Sequence, residues 1–229
     1  MKTLTLLIFL SIGFSALAQS DYQLNQAIDF FQSNRMIQGE IKNMLTESEI
    51  EGSPYLNDEF ITGSVFTTSK IQYNDIPLRY NVYNDEMQFK SPEGNVSAIA
   101  APEIIEKVVF GDYTIEYIPY IIAKKMRRGF FKVLLKGNAT LYARSNIEYR
   151  QPVPAGAYKD PEPARFLEKP DTYFIRIGKE AALEIENKKD LEAVFPDHKK
   201  EIASFIKKNK VNHRKEDKLK ELVEYYNSL

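Results

Sequence analysis

Cysteine is absent from the chain. That excludes a disulfide-stapled secreted domain, and it excludes a diacylated lipoprotein, which needs a cysteine at its processed N-terminus. Histidine is scarce, with only His198 and His213. Neither belongs to an i, i+4 pair of the kind that holds zinc on a helix, so no metal and no cofactor is expected. No G-x-S-x-G elbow, S-x-x-K, G-x-G-x-x-G or Walker-type loop occurs. Nucleophilic hydrolysis and nucleotide chemistry thereby lose their usual local signatures, and no catalytic residue is assigned. Beyond the first residues there is no apolar run long enough for a membrane-spanning helix. An excess of one charge is missing too: 31 basic residues face 32 acidic ones. A balanced chain has no global field to recruit nucleic acid, so none is expected as a partner.

At the N-terminus, Lys2 precedes an apolar run through Leu4, Leu6, Leu7, Ile8, Phe9 and Leu10, and Ala16-Leu17-Ala18 follows. This three-part pattern predicts a signal peptide over 1–18, cleaved before Gln19. The expectation is an exported protein, periplasmic or extracellular, without a lipid anchor and not integral to a membrane. With no disulfides, its stability must come from a core, and the chain is long enough to bury one.

Apolar spacing divides the remainder. Leu24, Ala27, Ile28 and Phe31, then Ile37, Ile41, Met44 and Leu45, recur at helical intervals and predict an N-terminal helical segment over 19–51. From Gly52 the period becomes two. In IPLRYNVY, Ile76, Leu78, Tyr80 and Val82 share one face of a strand, and Asn84-Asp85 turns the chain into a return strand with Met87 and Phe89. Further alternating runs, separated by Ser69-Lys70, Ser91 to Gly94, Gly111-Asp112 and Gly137-Asn138, predict an antiparallel β domain over 52–150. Five of the eleven prolines crowd into 151–170, which reads as an extended connector. A hairpin around Gly178-Lys179 and helices marked by Leu191, Ile202 and Leu219 complete 171–229. The predicted fold class is α+β: a mainly antiparallel, curved or barrel-like β-meander followed by a C-terminal hairpin and helices.

Two groups of residues are candidate binding contacts. Lys124, Lys125, Arg127 and Arg128 form a basic run between Ile118 to Ile122 and Gly129-Phe130-Phe131. Such a run either holds an anionic partner, namely an envelope protein, a lipid headgroup or a glycan, or it is a solvated turn that guards a hydrophobic edge. Serving a partner requires the cations to gather on the surface beside Ile121, Ile122 or Phe130, which alternation along a strand would prevent. Tyr80 and Tyr83 are strand tyrosines on which a sugar or peptide could stack, or which pack in the sheet. The carboxylates available for an acid pair are Asp58-Glu59, Asp85-Glu86, Glu103 and Glu116, and the members of each adjacent pair point to opposite faces of a strand.

Gly52-Ser53-Pro54-Tyr55-Leu56-Asn57, then Phe60, Gly63 and Pro77-Leu78-Arg79-Tyr80-Asn81, with Phe205 to Lys210 and Tyr225-Tyr226-Asn227 in the tail, resemble a group of uncharacterised exported proteins of Bacteroidota. The resemblance covers most of the chain after the leader. It implies a Gram-negative envelope location and carries no catalytic residue, cofactor or substrate. The functional expectation is therefore an exported, non-catalytic binding or interaction protein of the cell envelope. The alternative is a glycan-acting hydrolase with a spatially assembled carboxylate pair.

Overall fold

The structure is a computed structural model that describes residues 50–156 and 158–229. The leader and all but the last two residues of the N-terminal helical segment lie outside the described residues. The period-two segments form ten strands of one sheet: β1 (Ile61–Thr67), β2 (Gln72–Asn81), β3 (Glu86–Lys90), β4 (Val96–Ala98), β5 (Ile105–Phe110), β6 (Tyr113–Ile122), β7 (Lys125–Leu135), β8 (Ala139–Arg150), β9 (Arg165–Ile177) and β10 (Ala182–Glu184). Helices α1 (Lys188–Ala193), α2 (Lys199–Lys208) and α3 (Glu216–Asn227) follow. The class is α+β, and the sheet order is β10-β9-β8-β7-β6-β5-β1-β2-β3-β4.

Strand β6 belongs to two bodies at once. Along one edge its first residues, Tyr113 to Ile115, pair antiparallel with β5, while Tyr120 and Ile121 pair parallel with Ala182 and Leu183 of β10. The second pairing closes β6 to β10 into a five-stranded barrel, and β1 to β5 continue from it as an open, curved sheet. Pro119 lies on the stretch between those two pairings, where a missing N–H donor is tolerated.

Alternation sorts the side chains. Ile118 and Tyr120 of β6, Phe131 of β7, Tyr142 of β8, Phe174 of β9 and Ala182 of β10 fill the barrel. Their rings meet edge to face, with Phe131 and Phe174 centroids 4.9 Å apart. The opposite faces of β8 and β9 carry Ala139, Leu141 and Ile175, which are covered by Leu191, Ile202, Ile206, Leu219, Leu222 and Val223 of the helices. Helix α1 is started by a capping box between Asn187 and Asp190. Helix α3 is fixed at its end by Asn227, whose side chain both accepts from the Ala139 N–H and donates to its carbonyl. A third core, with Ile76, Leu78, Phe89 and Phe110, lies under the open sheet and takes in Ile115 of β6 and Phe130 of β7.

One carboxylate ties the open sheet to the barrel. Asp85 occupies the β2–β3 turn with φ of 57°, a left-handed value that Asp tolerates better than most residues. Its Oδ1 accepts from the Tyr80 hydroxyl at 2.7 Å and from the Phe130 N–H at 3.2 Å, and its Oδ2 accepts from Arg144 at 3.3 Å. Arg144 also donates to the Tyr120 hydroxyl at 2.7 Å. Burial first, and then the Asp85 carboxylate, pushes the Tyr80 phenol well above its ordinary value. The approach requires Gly129, since a Cβ there would stand 2.7 Å from Asp85 Oδ2.

Two sequence expectations need adjusting. Strand β9 begins at Arg165, inside the segment read as a proline-rich connector, and pairs with β8 down to Arg150, with a register shift between Arg144 and Asn146. Pro170 sits beside that shift, where the ladder is interrupted and its missing donor does least harm. The basic run, expected to need a loop in order to cluster, instead begins a strand, and only Ala123 and Lys124 form the turn, both with positive φ.

Gly129→Ala is expected to lower stability by about 1–3 kcal/mol, because the added methyl group displaces a pinned carboxylate; chemical denaturation measures it. Tyr226 donates to Asp197 at 2.7 Å, and its phenol is pushed up to about 12 by burial first and by Asp197 second. A raised phenol contributes stability that is present below the ordinary value near 10 and is lost as pH rises toward 12. Tyr226→Phe should therefore cost about 1–2 kcal/mol at neutral pH and flatten the decline of stability over that alkaline window, as read by denaturation at stepped pH.

Candidate functional site

The β6–β7 hairpin extends past the barrel. Cross-strand pairs run Ile122 with Lys125, Ile121 with Met126, Tyr120 with Arg127 and Pro119 with Arg128, whereas β8 pairs with β7 only from Lys132 onward. Residues 125–131 thus have no strand partner on their second edge, and Asp85 occupies part of that edge through its bond to the Phe130 N–H. Lys124, Lys125, Met126, Arg127 and Arg128 are all exposed, Met126 to 70%.

Alternation divides the cations between two faces of the ribbon. Lys125 and Arg127 share the face of Ile122 and Tyr120, while Arg128 shares the face of Met126, Ile121 and Tyr117, with its guanidinium 5.6 Å from the Tyr117 ring centre. Lys124 stands at the turn. No ion pair joins any of the four to a described residue. Some cations elsewhere are paired, as in Lys70–Glu106, Lys132–Asp171 and Lys169–Glu148, whereas Arg79 and Lys107 lie over aromatic rings. The strand therefore does not gather the four on one face: Arg128 alone shares the face of Met126 and Ile121, with Lys124 at the turn, and Lys125 and Arg127 lie on the other side.

The two tyrosines fare differently. Tyr80 is 3% exposed and donates its hydroxyl to Asp85, so it is not available as a surface contact. Its burial follows from the alternation that places it with Ile76 and Leu78. Tyr83 is 42% exposed and leans on Tyr149 and Phe166, with ring centres 6.3 and 5.2 Å away. The two motifs that carry the resemblance meet each other: Arg79 lies 3.5 Å from the Tyr55 ring centre and 4.4 Å from that of Phe60, and the Leu56 N–H donates to the Tyr80 carbonyl. These residues fasten the 52–60 strap to β2 and are not arranged as a ligand site.

Two acidic sites stand out, one at Glu116, a carboxylate the sequence offers as a candidate, and one that sequence reasoning did not single out. Inside the barrel Glu116 is buried, receives the Tyr142 hydroxyl and Lys136 Nζ at 2.7 and 2.6 Å, and holds the Tyr142 phenol up, second to burial. Every oxygen there is occupied by the chain itself. Outside it, Asp171, Tyr173, Glu184, Glu186, His213 and Arg214 line a cleft of about 310 Å³. Burial first, and then the charge of Glu186, raises the Glu184 carboxyl above its ordinary range. Asp171 is already paired with Lys132 at 2.6 Å. The Glu-x-Glu spacing on β10 was visible in the sequence, but the approach of His213 from beyond α2 was not. Among the described residues no group of three or more His, Asp or Glu is placed to hold a metal ion, and no helix is long and apolar enough to cross a membrane.

No family model, curated protein or solved structure matches the chain.

A raised carboxyl contributes stability that is present below the ordinary carboxylate range and is lost as pH climbs through its raised value. Glu184→Gln should accordingly raise the melting temperature at pH 7 and leave it unchanged at pH 4. Glu186→Gln should bring the Glu184 titration, followed by carbon-detected NMR, back toward the ordinary range.

Proposed function

We propose that the protein is an exported, non-catalytic binding or interaction protein of the cell envelope, and that its contact element is the tip of the β6–β7 hairpin. The observation that carries this reading is the set of four exposed cations, Lys124, Lys125, Arg127 and Arg128, on a ribbon that extends beyond the barrel and pairs with no described carboxylate. Partly buried Arg144 is paired with Asp85. Exposed and unpaired cations remain free to attract an anionic partner over about one Debye length, ~10 Å at 0.1 M salt. Filling of the barrel by Phe131, Tyr142 and Phe174 supports a binding surface over an interior pocket.

The hydrolase alternative draws on the cleft that holds Glu184 and Glu186. Glycoside hydrolysis separates its two carboxyls by about 5–10 Å so that the scissile bond, and in some enzymes a water, fits between them. Glu184 and Glu186 both come from one short segment, the end of β10 and the residues just after it, whereas that reaction needs its carboxyls to flank the bond, and on this ground the non-catalytic reading is preferred.

Export is tested by the mass of the mature N-terminus, with Gln19 expected as the first residue and a retained Met1 as the contrary result. Contact through the ribbon is tested by replacing Lys124, Lys125, Arg127 and Arg128 with Glu. The circular dichroism spectrum should be preserved, and capture of envelope partners or anionic surfaces should be lost. Unchanged localisation and unchanged partners in pull-down would reduce the run to a guard against edge pairing.

A further inference from the structure

The hairpin is more than a cluster of charge, because its outward face belongs to an apolar row that crosses four strands. Met126 of β7 pairs with Ile121 of β6, Ile121 with Leu183 of β10, and Leu183 with Ile175 of β9. Partners in register project to the same face, and the neighbouring pair Tyr120 and Ala182 fills the barrel, so this row lies on its outer wall. Ile175 is fully buried under the helices. Cover ends there: Leu183 is 38% exposed, Ile121 is half-buried and Met126 is 70% exposed. Arg128 borders the row on the same face, Lys124 stands at its end, and Lys125 and Arg127 flank it from the other side of the ribbon.

We infer that this tip is a docking element for an anionic phospholipid surface, with Met126, Ile121 and Leu183 entering the headgroup boundary and the four cations meeting lipid phosphates. The inference rests on the proposed binding role of the ribbon and names its partner. Charge complementarity selects an anionic partner. The apolar row then separates the candidates, since a polyanionic glycan offers nothing for an exposed methionine to enter, whereas a bilayer boundary does. A stable protein interface engages about 20–30 residues a side, many more than this narrow tip presents. Exposed cations beside a bilayer add roughly fivefold each to affinity, and partial burial of one methionine adds about tenfold. Neither contribution suffices for firm anchoring, but the two together give the dual signal that reversible peripheral binding requires.

Sedimentation of the protein with vesicles tests the inference, using equimolar phosphatidylcholine and phosphatidylglycerol, pure phosphatidylcholine, and dextran sulfate as a polyanion without apolar surface. Wild-type protein should bind the mixed vesicles, release as salt rises and ignore pure phosphatidylcholine. Met126→Ser, at an exposed position that the fold does not need, should weaken vesicle binding about tenfold and leave dextran sulfate binding unchanged. Leu183→Ser should act in the same direction. If the mixed vesicles and dextran sulfate are both bound and Met126→Ser alters neither, the lipid inference falls while the anion-binding role stands. Equal binding to pure phosphatidylcholine overturns the inference as well. If the wild type binds neither anionic probe, the inference and the proposed role of the ribbon fall together.

Discussion

The carboxylate of Asp85 is the constraint on which the two halves of the sheet depend. Its donors come from β2, β7 and β8, so one side chain fixes the distance between the open sheet and the barrel. It also takes up a strand-edge N–H that β8 leaves behind when it parts from β7, a donor that would otherwise be buried without a partner. The arrangement is specific at three levels. The turn must accept a left-handed residue, Gly129 must lack a Cβ, and Tyr80 must lie on the buried face of β2. Without Arg144 the partly buried carboxylate would have neutral donors only, and the guanidinium, packed over the Tyr120 ring at 5.0 Å, offsets its desolvation.

Closure is the second organising fact. A long antiparallel sheet exposes two edges, and unpaired edges invite association. The parallel contact of β10 with β6 conceals the edges of the barrel strands, and the helices then cover the wall built by β8 and β9. Among the described residues the amphipathic helices all follow the last strand, and they cover a surface that does not exist until the sheet has curled. This division also explains the mixed character of β6, where Tyr113, Ile115 and Tyr117 serve one core and Ile118, Tyr120 and Ile122 another.

Much of this was legible in the alternation. The buried face of Ile76, Leu78, Tyr80 and Val82, the Asn84-Asp85 turn and the apolar stripes of the three helices follow from local periodicity, which reports the face a residue takes. Register and closure were not legible, because they depend on which strands meet. Nothing near Ile121 announces Leu183 as its neighbour, and the apolar row at the hairpin tip exists only through that pairing. Proline crowding was misleading at Pro170 for a related reason. A donor is dispensable where a ladder shifts register, and that shift is a property of two strands together. For the candidate site, charge was legible at Lys124 to Arg128 and exposure was not: Tyr80 and Tyr83 look alike in sequence, yet one is enclosed by Asp85 and the other faces solvent.

The dual pairing of β6 has a consequence for the order of assembly. The open sheet and the β6–β7 hairpin use neighbouring segments and can form as the chain emerges, but the barrel closes only when β10 arrives, some sixty residues after Ile121. Loop closure over such a separation is slow compared with hairpin formation. Throughout that interval the C-terminal half of β6 is an open edge on which Tyr120 and Ile121 lack their β10 neighbours. The cations at the tip of the same hairpin lie next to that edge, and charge beside an open strand edge disfavours its pairing with another chain.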